Sequence, residues 1–183
     1  MVKNGISTVM ILLLFSCYSI KNNYELIPLK KICEEDLLKI RLDGYYYSMN
    51  DTDKRILVYI FSKNGKMIRL GWFEFLSFED IENRISNPKN EMFIHNQIKN
   101  IGKFKIDKNK IITQLFYGGF WSMSESYYTT DFYNIINTTS FKHVETIDLK
   151  TINYKNFGMI FTFRKFSNEN NLEKVSRYLD ENI

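Results

Sequence analysis

The spacing of apolar residues divides this chain into unlike parts. After the basic residue Lys3, a largely apolar run extends from Ile6 to Phe15 and ends at Ser16. An export leader combines the same parts: a positive start, about 7–15 apolar residues and a small residue at the cleavage point. The run is too short to span a bilayer, which takes about 20 residues, and Ser7, Thr8, Ser16 and Ser19 hem it in. From Tyr18 to Pro28, Lys21, Asn22 and Asn23 mark a polar tether. Beyond Glu34 the apolar residues fall in short runs broken by turn residues, and from Gly102 to Asp107 they alternate with polar ones as on a strand with one wet face.

Glu34 to Leu42 places Leu37, Leu38, Ile40 and Leu42 among charged residues and predicts a short helical turn leading into a strand at Gly44-Tyr45-Tyr46-Tyr47. Asp51 to Lys54 is a turn by composition. Arg55 to Phe61 predicts a compact apolar strand, Asn64-Gly65 a hairpin because both positions tolerate positive φ, and Lys66 to Phe75 the return strand. Ser77-Phe78-Glu79-Asp80 has the form of a helix start, with the hydroxyl accepting from the third amide and the acid reaching back. That helix should run to Arg84 or Ile85 and stop before Asn87-Pro88. Lys89 to Asn100 has no readable period. Gly102 to Asp107 and Ile111 to Tyr117 predict a hairpin through Lys108-Asn109-Lys110, and Gly118 to Ser122 an aromatic-bearing loop. Tyr127 to Ile136 and Phe141 to Ile147 predict another hairpin around Asn137-Thr138-Thr139. A last strand is expected from Phe157 to Phe166, with Phe157, Met159, Phe161 and Phe163 on one face. A helix from Asn170 to Leu179 should follow, with Leu172, Val175 and Leu179 along one stripe.

Parallel strands would need crossovers of about a dozen residues or more, and most of these connections are short. The expected fold class is therefore all-β, an antiparallel meander of about eight strands with a short helical insertion and a C-terminal helix. About eight strands is the size at which a sheet closes into a barrel with room for side chains or one small ligand. The organisation that follows is a leader over 1–16, an anchor and tether over 17–33, and one folded domain over 34–183.

Leu14-Phe15-Ser16-Cys17 resembles the lipobox of bacterial lipoproteins, with Phe15 where a small residue is usual. The resemblance implies cleavage before Cys17 and acylation of its thiol, palmitate being one such acyl group. It also implies a place in the bacterial cell envelope, held in the outer membrane on its periplasmic or surface side. Acyl chains, worth about 0.8 kcal/mol per buried methylene, anchor stably when two or more are present. Ile40-Arg41-Leu42-Asp43-Gly44-Tyr45-Tyr46 resembles the opening of lipocalin-like bacterial proteins and of small bacterial envelope lipoproteins, Tyr46 standing where the lipocalin pattern has Trp. That resemblance implies a lipocalin-like barrel in which a basic residue of the last strand, Arg164 here, covers the first-strand aromatic, Tyr46. Such a contact is worth about 0.5–2 kcal/mol.

Composition narrows the function. Aromatics make up 16% of the chain, with 12 Tyr and 15 Phe, and these are residues that strands favour. The formal charge is only +4 and the basic residues are spread along the chain, whereas nucleic-acid binders gather theirs into a stripe. Nucleic acid is not an expected partner. Cys33 is the one cysteine besides Cys17; standing beside Ile32 at the start of an apolar pattern, it is expected to be buried.

Catalytic constellations are not evident. His95 and His143 are the only histidines and neither has a cysteine or second histidine at metal-ligand spacing, so no metal or cofactor is expected. His143, beside Glu145 in a strand, reads as a surface cross-strand residue. Ser122 and Ser124 lack the Gly-x-Ser-x-Gly turn that presents a nucleophile. The acidic groups Glu34, Glu35 and Asp36, and Glu79, Asp80 and Glu82, fall at helix starts, where the helix dipole favours them. Aromatic pairs remain: Trp72 and Phe73, Phe116 and Tyr117, Phe120 and Trp121, Tyr127 and Tyr128. The expected protein is a non-catalytic, lipid-anchored structural or protein-interaction module. The alternative is a module holding a small apolar or ring-bearing ligand in the barrel mouth at Trp121, Phe120, Tyr117 and Trp72, since pockets are mostly apolar.

Overall fold

A computed structural model describes residues 32–86, 101–117, 127–148, 153–155 and 158–181. The leader, Cys17 and most of the tether lie outside the described residues. So do Phe120, Trp121, His95, Ser122 and Ser124, and the side chains of Trp72, Phe73, Phe116, Tyr117, Tyr127 and Tyr128. The elements in chain order are α1 (Glu34–Leu37), β1 (Gly44–Met49), β2 (Arg55–Phe61), β3 (Lys66–Glu74), α2 (Phe78–Ser86), β4 (Ile101–Asp107), β5 (Lys110–Tyr117), β6 (Tyr127–Asn137), β7 (Ser140–Asp148), β8 (Asn153–Lys155), β9 (Ile160–Lys165) and α3 (Glu169–Glu181).

Each strand from β1 to β7 pairs antiparallel with the next, and β9 closes the ring by pairing with both β7 and β1. The result is the expected closed eight-stranded barrel. β8 is an addition; its three residues pair with Asp148, Ile147 and Thr146 at the end of β7. It is too short to show a period in the sequence. β9 begins at Ile160, just after Gly158 turns the chain at φ 61°, and Phe157 lies outside the described residues.

The run Ile56-Leu57-Val58-Tyr59-Ile60-Phe61 is buried throughout, so β2 is covered on both faces. Leu57, Tyr59 and Phe61 point into the barrel with Tyr46, Met67, Phe104, Ile106, Ile111, Leu115, Tyr133, Ile135, Phe141 and Phe161. Ile56, Val58 and Ile60 lie in a second core outside the barrel, with Tyr45, Ile68 and Leu70, under Ile81 and Ile85 of α2 and Val175 and Leu179 of α3. The amphipathic stripe read from α3 is the one that docks.

α3 is fastened at both ends. Glu82, buried in α2, accepts hydrogen bonds from the Ser167 amide at 3.0 Å, from the Ser167 hydroxyl, and from Asn171 Nδ2 at 3.4 Å. It thus satisfies donors at the start of α3, not of its own helix, which corrects the placement of Glu82 among residues serving the start of α2. Asp80 also departs from the capping pattern. Its amide donates to Ser77 Oγ at 3.0 Å as expected, but its carboxylate pairs with Arg84 at 2.7 Å instead of reaching back. At the other end of α3, Lys66 Nζ donates to the Leu179 carbonyl at 2.8 Å.

Candidate functional site

One end of the barrel is closed. Residues 32–42 lie across it, with Ile32 and Ile40 buried in the interior core and Leu37 and Leu42 packed against it. The Ile32 amide donates to the Lys63 carbonyl at 3.1 Å. Tyr46 Oη accepts from the Arg41 amide at 2.8 Å and donates to the Thr138 carbonyl at 2.9 Å, joining this segment to the β6–β7 turn. Burial pushes the Tyr46 hydroxyl up to about 12, against the opposing effect of the Arg41 amide.

Tyr46 stands opposite Phe163 in the β1–β9 register, and their rings meet edge to face at 5.3 Å. Arg164, one residue on, therefore belongs to the opposite face of the sheet. Its guanidinium lies 3.9 Å over the Phe78 ring of α2, in the outer core. The expected cover of Tyr46 by Arg164 is not formed. The cation that reaches this aromatic group is Arg41, 4.4 Å from the centre of the Phe163 ring and paired with Asp43. Cys33 is also corrected. It is exposed at the start of α1, where Sγ donates to Asp36 Oδ2 at 3.0 Å, while Ile32 takes the buried position.

Towards the other end, the interior turns polar. The β6–β7 pairing slips between Phe132 and Tyr133: His143 stands opposite Tyr133, but Glu145 and Thr146 stand opposite Phe132 and Asp131. Val144 is thus the extra residue of a bulge, which reverses the alternation of facing residues. His143 and Thr146, three apart, both come to the inner face with Asp131. Thr146 donates its one hydroxyl hydrogen to Asp131 Oδ1 at 2.5 Å, so His143 Nε2 is the donor in its 2.9 Å contact with Thr146 Oγ1. The His143 ring meets Tyr133 edge to face at 5.2 Å, and the Tyr133 and Tyr59 hydroxyls share a 2.8 Å hydrogen bond. Burial holds the Tyr133 hydroxyl well above its ordinary range, with the Tyr59 hydroxyl and Asp131 adding to the effect.

His143 is 2% exposed, so the surface role read from its neighbour Glu145 is overturned. The alternation alone could not show this, because the bulge lies between the two. Burial lowers the His143 pKa from its ordinary 6.5; Asp131 opposes this shift and the positive charge of Arg69 adds to it. Folded and unfolded chains then bind the same number of protons at this group above about pH 6.5, and the unfolded chain binds more below it. Stability should therefore fall as pH drops from about 6.5 to 5, before most carboxylates titrate. Urea unfolding across that range should show a shallower decline for His143→Gln than for the native chain. Parallel declines would remove His143 as the cause.

Two further hydroxyls, of Thr113 and Thr129, are buried and have no hydrogen-bond partner among the described residues. Thr113 stands directly opposite Asp131, and Thr129 opposite Leu115. Among the described residues no group of three or more His, Cys, Asp and Glu side chains is placed to hold a metal. No protein-family model, curated protein or solved structure matches this chain. The site is thus defined by its own geometry: a closed antiparallel barrel, plugged at one end, with a bulge-built polar cluster inside.

Proposed function

We propose that this chain is a lipid-anchored protein of the bacterial cell envelope and that its barrel is a non-catalytic structural or protein-interaction module. The observation that carries the reading is the filling of the barrel by its own side chains. Tyr46, Tyr59, Tyr133, Phe104, Phe141 and Phe161 are all buried within it, where a ligand-carrying barrel of this size keeps room for its cargo.

The polar cluster supports the same reading. Thr146 gives its hydrogen to Asp131 and accepts from His143, and Asp131 and His143 are both buried. That order clips β6 to β7 inside the barrel. Among the described residues, no helix is long and apolar enough to cross a membrane, and the proposed attachment does not need one. The side chains named for a ligand in the barrel mouth lie outside the described residues, and nothing described favours that alternative.

The anchor is tested by feeding radiolabelled fatty acid to cells expressing the chain. Label should appear on the native protein and be absent from Cys17→Ala, which should also leave the membrane fraction or remain unprocessed. Label retained on the variant would defeat the reading.

A further inference from the structure

We infer that the closed end of the barrel is the end that rests on the lipid bilayer, an inference that depends on the anchoring proposed above. Four large apolar side chains are exposed among the described residues: Leu38, Leu76, Ile136 and Ile160. Two of them, Leu38 and Ile136, stand at the closed end. Leu38, 78% exposed, follows α1 in the segment that plugs the barrel and faces away from Leu37 and Ile40, which point inward. Ile136, 54% exposed, precedes the β6–β7 turn whose Thr138 carbonyl is held by Tyr46. Ile160, 53% exposed, begins β9, whose opposite end, Lys165, is the one that meets Gly44, so Ile160 lies along the barrel wall away from the closed end.

The chain itself leads to this end. Ile32 is fixed to Lys63 beside the β2–β3 turn, and residues 18–31 connect it to Cys17. Fully extended, such a tether reaches about 50 Å at about 3.5 Å per residue, so its length alone permits either orientation. The place where it joins the barrel and the side chains around that place select one. A short tether held at the bilayer keeps the nearer end close for most of the time, and Leu38 and Ile136 are what that end presents.

Charge does not oppose the contact. Lys63, Lys108, Lys110 and Lys165 are exposed in the same turns and strand ends, with Glu34, Glu35 and Asp107 nearby. Long lysine stems can lie along apolar surface while their charged heads stay at the headgroup level. The near balance of signs means that the contact should not require an anionic membrane.

Cys33 offers a native reporter, being exposed at this end. The full chain, acylated at Cys17, is labelled with a nitroxide at Cys33 and reconstituted in phosphatidylcholine vesicles. A second form carries the label at Asp51→Cys in a Cys33→Ser background, in the exposed turn after β1 at the other end. Collisions with oxygen should exceed those with a water-soluble nickel chelate at residue 33, and the order should reverse at residue 51. The Leu38→Glu, Ile136→Glu double variant should remain in the membrane fraction while its residue-33 label becomes as accessible to nickel as residue 51. Equal nickel access at both positions of the native chain would overturn the inference and leave the anchor standing. A residue-33 label shielded from both reagents would overturn it in favour of a protein contact. Native chain that fails to stay with the vesicles would bring down the anchor reading, and the inference with it.

Discussion

Phe141→Ala should destabilise the barrel by about 4 kcal/mol, within the range for removing a fully packed aromatic ring. Phe141 is 1% exposed and lies at the centre of the interior cluster. Its ring centre is 4.8 Å from Tyr46, 5.0 Å from Phe161 and 5.2 Å from Tyr133, and within 6.5 Å of Phe61 and Tyr59. It belongs to β7, which meets β9 through only three registered pairs, one of them Phe141 with Phe161. The backbone at that seam is short, so ring packing carries more of the closure. Loss of about 4 kcal/mol would consume much of the 5–15 kcal/mol typical of a domain. Equilibrium urea unfolding, followed by far-ultraviolet circular dichroism, measures it. Phe141→Leu, which leaves a smaller void, should lose less than half as much. An alanine variant within about 1 kcal/mol of the native chain would show that the interior collapses around the gap, contrary to the packing argument.

The barrel itself was legible because its signals are local. Alternation marked β4, the compact apolar run marked β2 as a strand, and Asn64-Gly65 marked a hairpin in which Gly65 does adopt φ 77°. The stripe of Leu172, Val175 and Leu179 marked the docking face of α3. What escaped depends on register or on distant partners. Val144 shifts the phase of β7, so counting by twos from His143 leads to Glu145 and misses Thr146. The relation of Tyr46 to Phe163, and hence of Arg164 to the opposite face, is fixed by the pairing of β1 with β9, more than a hundred residues apart in sequence. Glu82 carries no local mark distinguishing it from Glu79, since its partners Ser167 and Asn171 come from another helix. Cys33 shows a simpler ambiguity: Ile32 and Cys33 are adjacent, and only one of them can face the core. The candidate site was thus mostly illegible, whereas the architecture around it was not.

Gly44→Ala should cost about 3 kcal/mol, at the upper end for forcing extra atoms into a packed position. Gly44 opens β1 and stands opposite Lys165 in β9, the pair that closes the ring. A Cβ there would lie 2.1 Å from the Arg164 carbonyl oxygen, 2.7 Å from Phe163 Cζ and 2.8 Å from Lys165 Cα. Two of these three neighbours are backbone, so no rotamer change relieves the clash and β1 must move off β9. Gly71 provides the comparison. A Cβ at Gly71 meets nothing within 4 Å, and alanine there should be neutral or stabilising by up to about 1 kcal/mol through the unfolded chain. Urea midpoints of the two variants should therefore move in different directions or by very different amounts. Equal, small shifts would mean that β1 and β9 are not held as closely as their register implies. The clash also bears on the plugged end. Gly44 is two residues from Tyr46, whose hydroxyl ties residue 41 to residue 138, so separating β1 from β9 should loosen the plug along with the seam. Near-ultraviolet circular dichroism of the tyrosine-rich interior should then weaken in Gly44→Ala and remain unchanged in Gly71→Ala.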